Sequence, residues 1–199
     1  MAIWVLLCCV NLHAENIDPD EDGSQYAYGE NVGWMNFEPD TGDGAAVASD
    51  KLTGWVWAEN IGWISLTCEN TTSCGTVNYG ITNDSAGNLS GYAWAENVGW
   101  VSFSCDNTSS CGTVDYGVTI DGDGAFGGYA WPENIGWINF DFGIANNYVR
   151  ACKVNFEDLT NFVSYWLDNG ANPADLDDEA DDVDFEDYAI FSGYWQDFC

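Results

Sequence analysis

The chain has 199 residues, of which 46% are apolar, so it can bury a core and has the length of one or two small domains. Its 33 Asp and Glu residues against 3 Lys and Arg residues give a formal net charge of −30. This charge repels nucleic acids and anionic lipid headgroups, which excludes nucleic-acid binding, and it attracts cations such as Ca²⁺, which prefers clustered carboxylate oxygens.

Residues 1–14, MAIWVLLCCVNLHA, predict a signal peptide. Their apolar run has the length of a signal-peptide hydrophobic region and is too short to span a bilayer, although the usual basic start is missing. We expect no membrane span in the rest of the chain either. The sequence therefore predicts an exported protein, located outside the cell or at the cell surface.

A phrase with two tryptophans around Glu-Asn-aliphatic-Gly recurs along the next part of the chain, and in its first copy a tyrosine replaces the first tryptophan. The copies are YAYGENVGW from Tyr26, GWVWAENIGW from Gly54, GYAWAENVGW from Gly91 and GYAWPENIGW from Gly128. The last three copies follow one another at an interval of 37 residues, and Cys68 and Cys105 keep the same interval. A fixed period of this length is typical of repeated supersecondary units that pack on their neighbours.

Each copy predicts a β-hairpin. In the last copy, residues 128–131 and 137–140 indicate two strands whose tryptophans face each other, and the loop 132–136 contains Asn and Gly, which tolerate positive φ. The alternation in residues 113–120 predicts a further strand. We expect a mainly β chain, with an antiparallel repeat domain over 15–143, roughly ten short strands and units packed in series.

The repeated aromatic residues allow two interpretations. They could form sugar-stacking platforms, with the neighbouring Glu59, Glu96 and Glu133 binding hydroxyl groups, or they could be core residues that fix the hairpins. The candidate stacking residues are Trp57, Trp63, Trp94, Trp100, Trp131 and Trp137. The repeats resemble those of predicted bacterial surface and secreted proteins, a resemblance that implies no activity.

Six cysteines remain if Cys8 and Cys9 leave with the signal peptide. They fall into the pairs Cys68 with Cys74, Cys105 with Cys111, and Cys152 with Cys199. An even number of cysteines in an exported chain predicts disulfides. Zinc is the alternative, but the first two pairs have Cys-x5-Cys spacing and the single His, His13, lies in the signal peptide.

The last part of the chain contains a second duplication. Residues 154–166 and 183–195 align at an offset of 29. In the first copy, Phe156, Leu159, Phe162, Val163 and Trp166 form an apolar stripe with helical spacing. Two helices are therefore predicted.

The region 144–199 resembles a type I dockerin, in which two motifs each consist of a calcium loop and a helix. The resemblance implies one Ca²⁺ site, with Asp175, Asp177, Asp184 and Asp187 as ligands and Glu179 or Asp181 between them. This loop has one extra residue and no central Gly, and the first motif has no acidic run, so a second site is not predicted. A solvated acidic linker is the alternative. The family implies a cohesin-like partner on a scaffold or cell surface.

No catalytic motif is recognisable. No His follows the signal peptide, and the sequence contains no nucleophile elbow or phosphate loop. A glycosidase needs two carboxylates, so it remains an alternative. The sequence predicts a non-catalytic surface or extracellular-matrix protein with a calcium-dependent docking module, or alternatively a carbohydrate-binding accessory protein of a polysaccharide-degrading complex. Self-assembly through exposed end strands is a variant of the first.

Overall fold

The computed structural model of the chain describes residues 16–84, 86–141, 148–153, 156–165 and 185–193. This part of the chain is mainly β and contains twelve strands and two α-helices. The strands are β1 (Tyr26–Gly29), β2 (Gly33–Asn36), β3 (Ala46–Val47), β4 (Lys51–Thr53), β5 (Trp55–Ala58), β6 (Gly62–Ser65), β7 (Ile81–Asn83), β8 (Leu89–Ala95), β9 (Gly99–Ser102), β10 (Val118–Ile120), β11 (Phe126–Pro132) and β12 (Ile138–Asn139). All pairings between these strands are antiparallel, as predicted.

Eight of these strands close into a barrel. The repeated phrases form four hairpins, β1–β2, β5–β6, β8–β9 and β11–β12, which we number first to fourth. Each hairpin pairs with the next, and β1 pairs with β12 to complete the ring. The hairpins follow one another in series, and the series closes because the fourth hairpin meets the first. Closure gives these eight strands no free edge, which removes the exposed end strands as an argument for self-assembly.

The barrel interior is filled by the residues that alternate with the aromatic ones. These inward residues are small or aliphatic and almost fully buried; they include Ala27, Met35, Val56, Ala58, Ile64, Ala93, Ala95, Val101, Ala130 and Ile138. One end of the barrel is filled by aromatic side chains, since Phe37 and Phe103 both contact Phe140, with ring centroids 5.5 and 5.8 Å apart. An eight-stranded barrel has room for side chains of this size and little more.

The Asn of each hairpin turn links its hairpin to the preceding one. Its side-chain amide donates to the backbone carbonyl of the aliphatic residue in the neighbouring turn. The four bonds are Asn31 to Ile135 (2.9 Å), Asn60 to Val32 (2.9 Å), Asn97 to Ile61 (3.0 Å) and Asn134 to Val98 (2.9 Å). They form a closed ring around one end of the barrel, which explains why Asn and the aliphatic residue recur together.

In each of the last three hairpins, a glycine lies at a close backbone approach, either within the first strand or immediately before it. Gly54, Gly91 and Gly128 have φ values of 82°, 91° and 85°. A Cβ on Gly91 would lie 2.1 Å from the carbonyl oxygen of Gly80. Because of this contact, the position requires glycine. The strands β3, β4, β7 and β10 lie outside the barrel, and we call them the second tier. Gly91 marks the point where β8 passes from pairing with β7 of this tier to pairing with β9 of the barrel.

Residues that follow the fourth hairpin form further bridges outside the eight barrel strands. Val149 forms a bridge with Gln25, and Ala151 forms one with Ile17. Val149 and Ala151 are completely buried. These bridges join residues that follow the fourth hairpin to residues that precede the first.

The predicted strand over residues 113–120 is shorter than expected. Only Val118–Ile120 is extended, as β10. The backbone amides of Thr113 and Val114 donate to Ser110, which makes a turn after the disulfide loop, and Val114 is 47% exposed. The apolar alternation therefore continues into a turn that the sequence pattern does not distinguish from a strand.

Two of the predicted disulfides are confirmed, Cys68–Cys74 and Cys105–Cys111. Each encloses a short 3-10 helix, Cys68–Thr71 or Cys105–Thr108. Cys152 is also disulfide-bonded, and its predicted partner Cys199 lies outside the described residues.

The two predicted helices are present as α1 (Phe156–Ser164) and α2 (Phe185–Gly193). They meet through equivalent residues of the duplication, since Phe162 and Phe191 stack with ring centroids 5.0 Å apart. Neither helix is long and apolar enough to cross a membrane. The predicted signal peptide, 1–14, lies outside the described residues.

Candidate functional site

The repeated tryptophans lie on the outer face of the barrel. Trp57 and Trp100 are each 37% exposed, whereas their strand neighbours Val56 and Val101 are buried. The interpretation of these tryptophans as core residues is therefore wrong. The reason is size, because the narrow interior accepts the Ala, Val and Ile side chains of the alternate positions and leaves the indoles outside.

In the last three phrases the two tryptophans pair across their hairpin, as predicted, and in the first phrase Tyr28 pairs with Trp34. Trp57 lies opposite Trp63, and Trp94 lies opposite Trp100. The ring centroids are 4.9 Å apart for Trp57–Trp63, 4.6 Å for Trp94–Trp100 and 4.5 Å for Trp131–Trp137. These distances and their tilted arrangement are typical of stabilising aromatic pairs, so each hairpin carries a rigid aromatic plate on its outer face.

A groove of about 660 Å³ runs between the third and fourth hairpins. We call it the aromatic groove, and it is lined by Val77, Asn78, Tyr79, Tyr92, Trp100, Ser102, Thr108, Ser110, Val114, Tyr116, Trp131, Glu133 and Trp137. It brings together three of the six predicted stacking tryptophans with one of the predicted hydroxyl-binding glutamates. Trp94 and Trp57 are not among its lining residues.

Tyrosines from the connecting loops extend the aromatic surface. Tyr79 lies against Trp100 and Tyr116 against Trp137, each with ring centroids 5.3 Å apart. Sequence reasoning missed these two residues as site residues. They keep the 37-residue interval of the tryptophans, which is the signal that could have identified them.

A buried serine fixes the position of the groove tyrosines. Tyr116 donates from its hydroxyl to Ser102 Oγ at 3.1 Å, and Asn107 donates to the same atom at 2.9 Å. Tyr92 donates from its hydroxyl to the backbone oxygen of Asn107 at 3.0 Å. Because Ser102 is almost fully buried and itself donates to the backbone oxygen of Ser104, the network holds the tyrosine rings in place before any ligand arrives.

The groove is negatively charged. Burial raises the pKa of the Tyr92 hydroxyl above its ordinary value, and the charges of Tyr116 and Glu133 raise it further. All three basic residues of the chain lie elsewhere: Lys51 pairs with Glu69, Arg150 with Asp20, and Lys153 donates to the backbone oxygen of Asp121. Nothing in the groove therefore balances the Glu133 carboxylate.

A smaller copy of this arrangement lies between the second and third hairpins. This second hollow has a volume of about 360 Å³ and is lined by Gly42, Asp43, Trp55, Trp63 and Glu96. Glu96 occupies the same position in the third hairpin turn as Glu133 does in the fourth. In both places the turn glutamate of one hairpin therefore lies beside the second tryptophan of the preceding hairpin, Trp100 for Glu133 and Trp63 for Glu96.

The described residues contain one group that approaches the geometry of a metal site, formed by Cys105, Asp106 and Cys111. Its two sulfur atoms are joined in a disulfide, so they cannot act as thiolate ligands. The predicted calcium ligands Asp175, Asp177, Glu179, Asp181 and Asp184 lie outside the described residues. Asp187 lies on α2 and is fully buried.

Comparison of the chain with protein-family models, with curated proteins and with solved structures finds no match in any of the three.

Proposed function

We propose that the barrel is a non-catalytic carbohydrate-binding module of an exported protein. The observation that carries this proposal is the aromatic groove, where Trp100, Trp131 and Trp137 present partly exposed rings beside hydroxyl and carboxylate groups. The C–H face of a pyranose ring is apolar and packs on an aromatic plate, while its hydroxyl groups need polar partners at the edge. The groove offers both kinds of contact.

The exposure of the tryptophans supports binding over a purely structural role. An indole that served only to fix a hairpin would be better buried, because its apolar surface costs free energy in water. Two groups of such rings line the groove: Tyr79, Tyr92 and Trp100 on one side, and Tyr116, Trp131 and Trp137 on the other. Contiguous exposed apolar patches on soluble proteins are typical of interaction sites.

The presence of a single carboxyl group in the groove supports binding without catalysis. Of its lining residues, only Glu133 carries a carboxyl group. Glycoside hydrolysis ordinarily uses two carboxylates on either side of the bond to be broken. Glu133 is also one of a repeated set with Glu59 and Glu96, whereas a catalytic pair is normally unique in a chain.

A docking role for the last part of the chain is the second proposal. It is supported by the paired helices α1 and α2, which repeat at the predicted offset and pack through Phe162 and Phe191. In this proposal one Ca²⁺ is held by Asp175, Asp177, Asp184 and Asp187 with Glu179 or Asp181, and the helices bind a cohesin-like protein. The barrel would then be attached to a scaffold, a cell surface or an enzyme complex outside the cell, where disulfides persist.

The carbohydrate proposal is tested on a glycan array with the full chain, Trp100→Ala and Trp57→Ala. The two tryptophans are equally exposed, but only Trp100 lines the groove. We expect Trp100→Ala to lose most of the signal and Trp57→Ala to retain it. Absence of binding to every glycan, or equal loss in both variants, would contradict the proposal.

The docking proposal is tested by titrating the full chain with calcium. We expect one equivalent to bind and to raise the thermal stability of the chain, and we expect Asp184→Asn to abolish this effect. A stability that is unchanged by calcium and by a chelator would leave only the helix duplication.

A further inference from the structure

We infer that the aromatic groove binds a cationic glycan, namely a polysaccharide of amino sugars whose amino groups are free and protonated. This inference rests on the carbohydrate-binding role proposed above and names the class of ligand. Three features support it: the negative charge around the groove, the packing of aromatic rings around Trp137, and the exposed carboxylate of Glu133.

The charge of the molecule selects against anionic and in favour of cationic glycans. The net charge is −30, and no Lys or Arg lines the groove. A sulfated or uronate-containing chain would be repelled, whereas a chain of protonated amino sugars would be attracted over a distance of several ångströms.

The rings of the groove suit an ammonium group as well as a sugar face. Trp137 is surrounded by Tyr116, Tyr129 and Trp131, with ring centroids 5.3, 6.1 and 4.5 Å away. A cation that lies over such faces is attracted by their negative electrostatic potential, most strongly over tryptophan. A protonated amino sugar brings a cation and an apolar ring face in one residue, so it uses the whole surface.

Glu133 is available to pair with the ammonium group. Its neighbour Asn134 makes the hydrogen bond that holds the turn, so the turn does not depend on the Glu133 side chain. The Glu133 side chain is exposed and makes no hydrogen bond or ion pair with the described part of the chain, while its charge acts on the Tyr92 hydroxyl inside the groove. A ligand ammonium group that lies between the aromatic rings and the Glu133 carboxylate can therefore pair with this carboxylate.

The second hollow offers a further cation position on the neighbouring hairpins. It places Trp55 and Trp63 beside Glu96 and Asp43. A polymer with a positive charge on every sugar can contact both places at once, so long chains should bind more tightly than short ones.

The test uses the full chain and two matched probes, the hexasaccharides of glucosamine and of N-acetylglucosamine, which differ in the charge of the amino group. Affinities are measured by isothermal titration calorimetry at about 20 mM and about 300 mM salt. We expect the glucosamine probe to bind about tenfold more tightly at low salt and to lose most of this advantage at high salt.

The variant Glu133→Gln and its control Glu59→Gln distinguish binding by the Glu133 carboxylate from attraction by the net charge of the protein. Both remove one carboxylate from an equivalent turn, but Glu59 lines neither the groove nor the second hollow. We expect Glu133→Gln to weaken glucosamine binding about 3- to 10-fold, without effect on the acetylated probe, and Glu59→Gln to leave both affinities unchanged.

Three results would overturn the inference. Equal affinity for the two probes, with no effect of Glu133→Gln, would leave a carbohydrate-binding groove that does not select charge. Equal effects of Glu133→Gln and Glu59→Gln would show attraction by the net charge alone. No binding of either probe or of any glycan on the array would remove the proposed function and the inference with it.

Discussion

The inner and outer faces of the barrel wall are built from alternate residues of the same strands, yet they differ in size and exposure. Inward residues such as Ala93, Ala95 and Val101 are almost completely buried, whereas the outward Trp100 is 37% exposed. The small side chains set the width of the barrel, and the large ones cover its outside. The repeat therefore encodes a closed scaffold on one face and a recurrent aromatic surface on the other.

The largest effect is expected at the close backbone approach between Gly91 and Gly80. Gly91→Ala places a Cβ 2.1 Å from the carbonyl oxygen of Gly80, at a φ of 91°. We expect a loss of about 3–5 kcal/mol in the free energy of unfolding, measured by urea denaturation.

The control for this variant is Gly127→Ala, in β11. A Cβ on Gly127 would make only an ordinary contact, 3.7 Å from Thr119 Oγ1. We expect this change to alter stability by less than about 1 kcal/mol. Similar losses for the two variants would show that the close approach at Gly91 does not determine the fold.

The next effect compares the two faces directly. Ile64→Ala removes a smaller side chain than Trp57→Ala, but Ile64 is 4% exposed and Trp57 is 37% exposed. Ile64→Ala should cost about 2–4 kcal/mol and Trp57→Ala only about 1–2 kcal/mol. The reverse order in urea denaturation would mean that the tryptophans carry the packing.

A smaller effect is expected at the ring of turn asparagines. Asn97→Ala removes the hydrogen bond to the carbonyl oxygen of Ile61 at an exposed position, which should cost about 1 kcal/mol in the free energy of unfolding. Hydrogen exchange should increase at the second and third turns and stay unchanged on α1. An increase confined to the third turn would show that the turns are not coupled.

The smallest effect concerns Tyr92. Its pKa is raised in the folded state from an ordinary value of 10.0, so its stabilising contribution is present below pH 10 and is lost as the pH rises through the folded pKa. Subtracting the alkaline absorbance titration of Tyr92→Phe from that of the wild type isolates the ionisation of Tyr92, which should occur above the ordinary pKa of tyrosine. Ionisation of Tyr92 at the ordinary pKa would contradict the burial of its hydroxyl.

The sequence predicts the local elements of this chain well. The hairpins follow from the Asn and Gly between paired tryptophans, the disulfides from the cysteine spacing, and the helices from the stripe that contains Phe162. Each of these features depends on residues close together in the chain.

The features that the sequence does not predict depend on distant residues. Both faces of a strand such as Tyr92-Ala-Trp94-Ala are apolar, so alternation alone does not say which face is inside. The pairing of β1 with β12, which closes the barrel, depends on the combined twist of all four hairpins. The bridge between Val149 and Gln25, which joins residues far apart in the chain, has no local signal.

The most direct test of the account is an experimental structure of the full chain with a glucosamine oligosaccharide bound. The account predicts a closed eight-stranded barrel with sugar rings against Trp100, Trp131 and Trp137 and an amino group beside Glu133. Tryptophans packed inside the domain, or a sugar chain bound away from this groove, would contradict it.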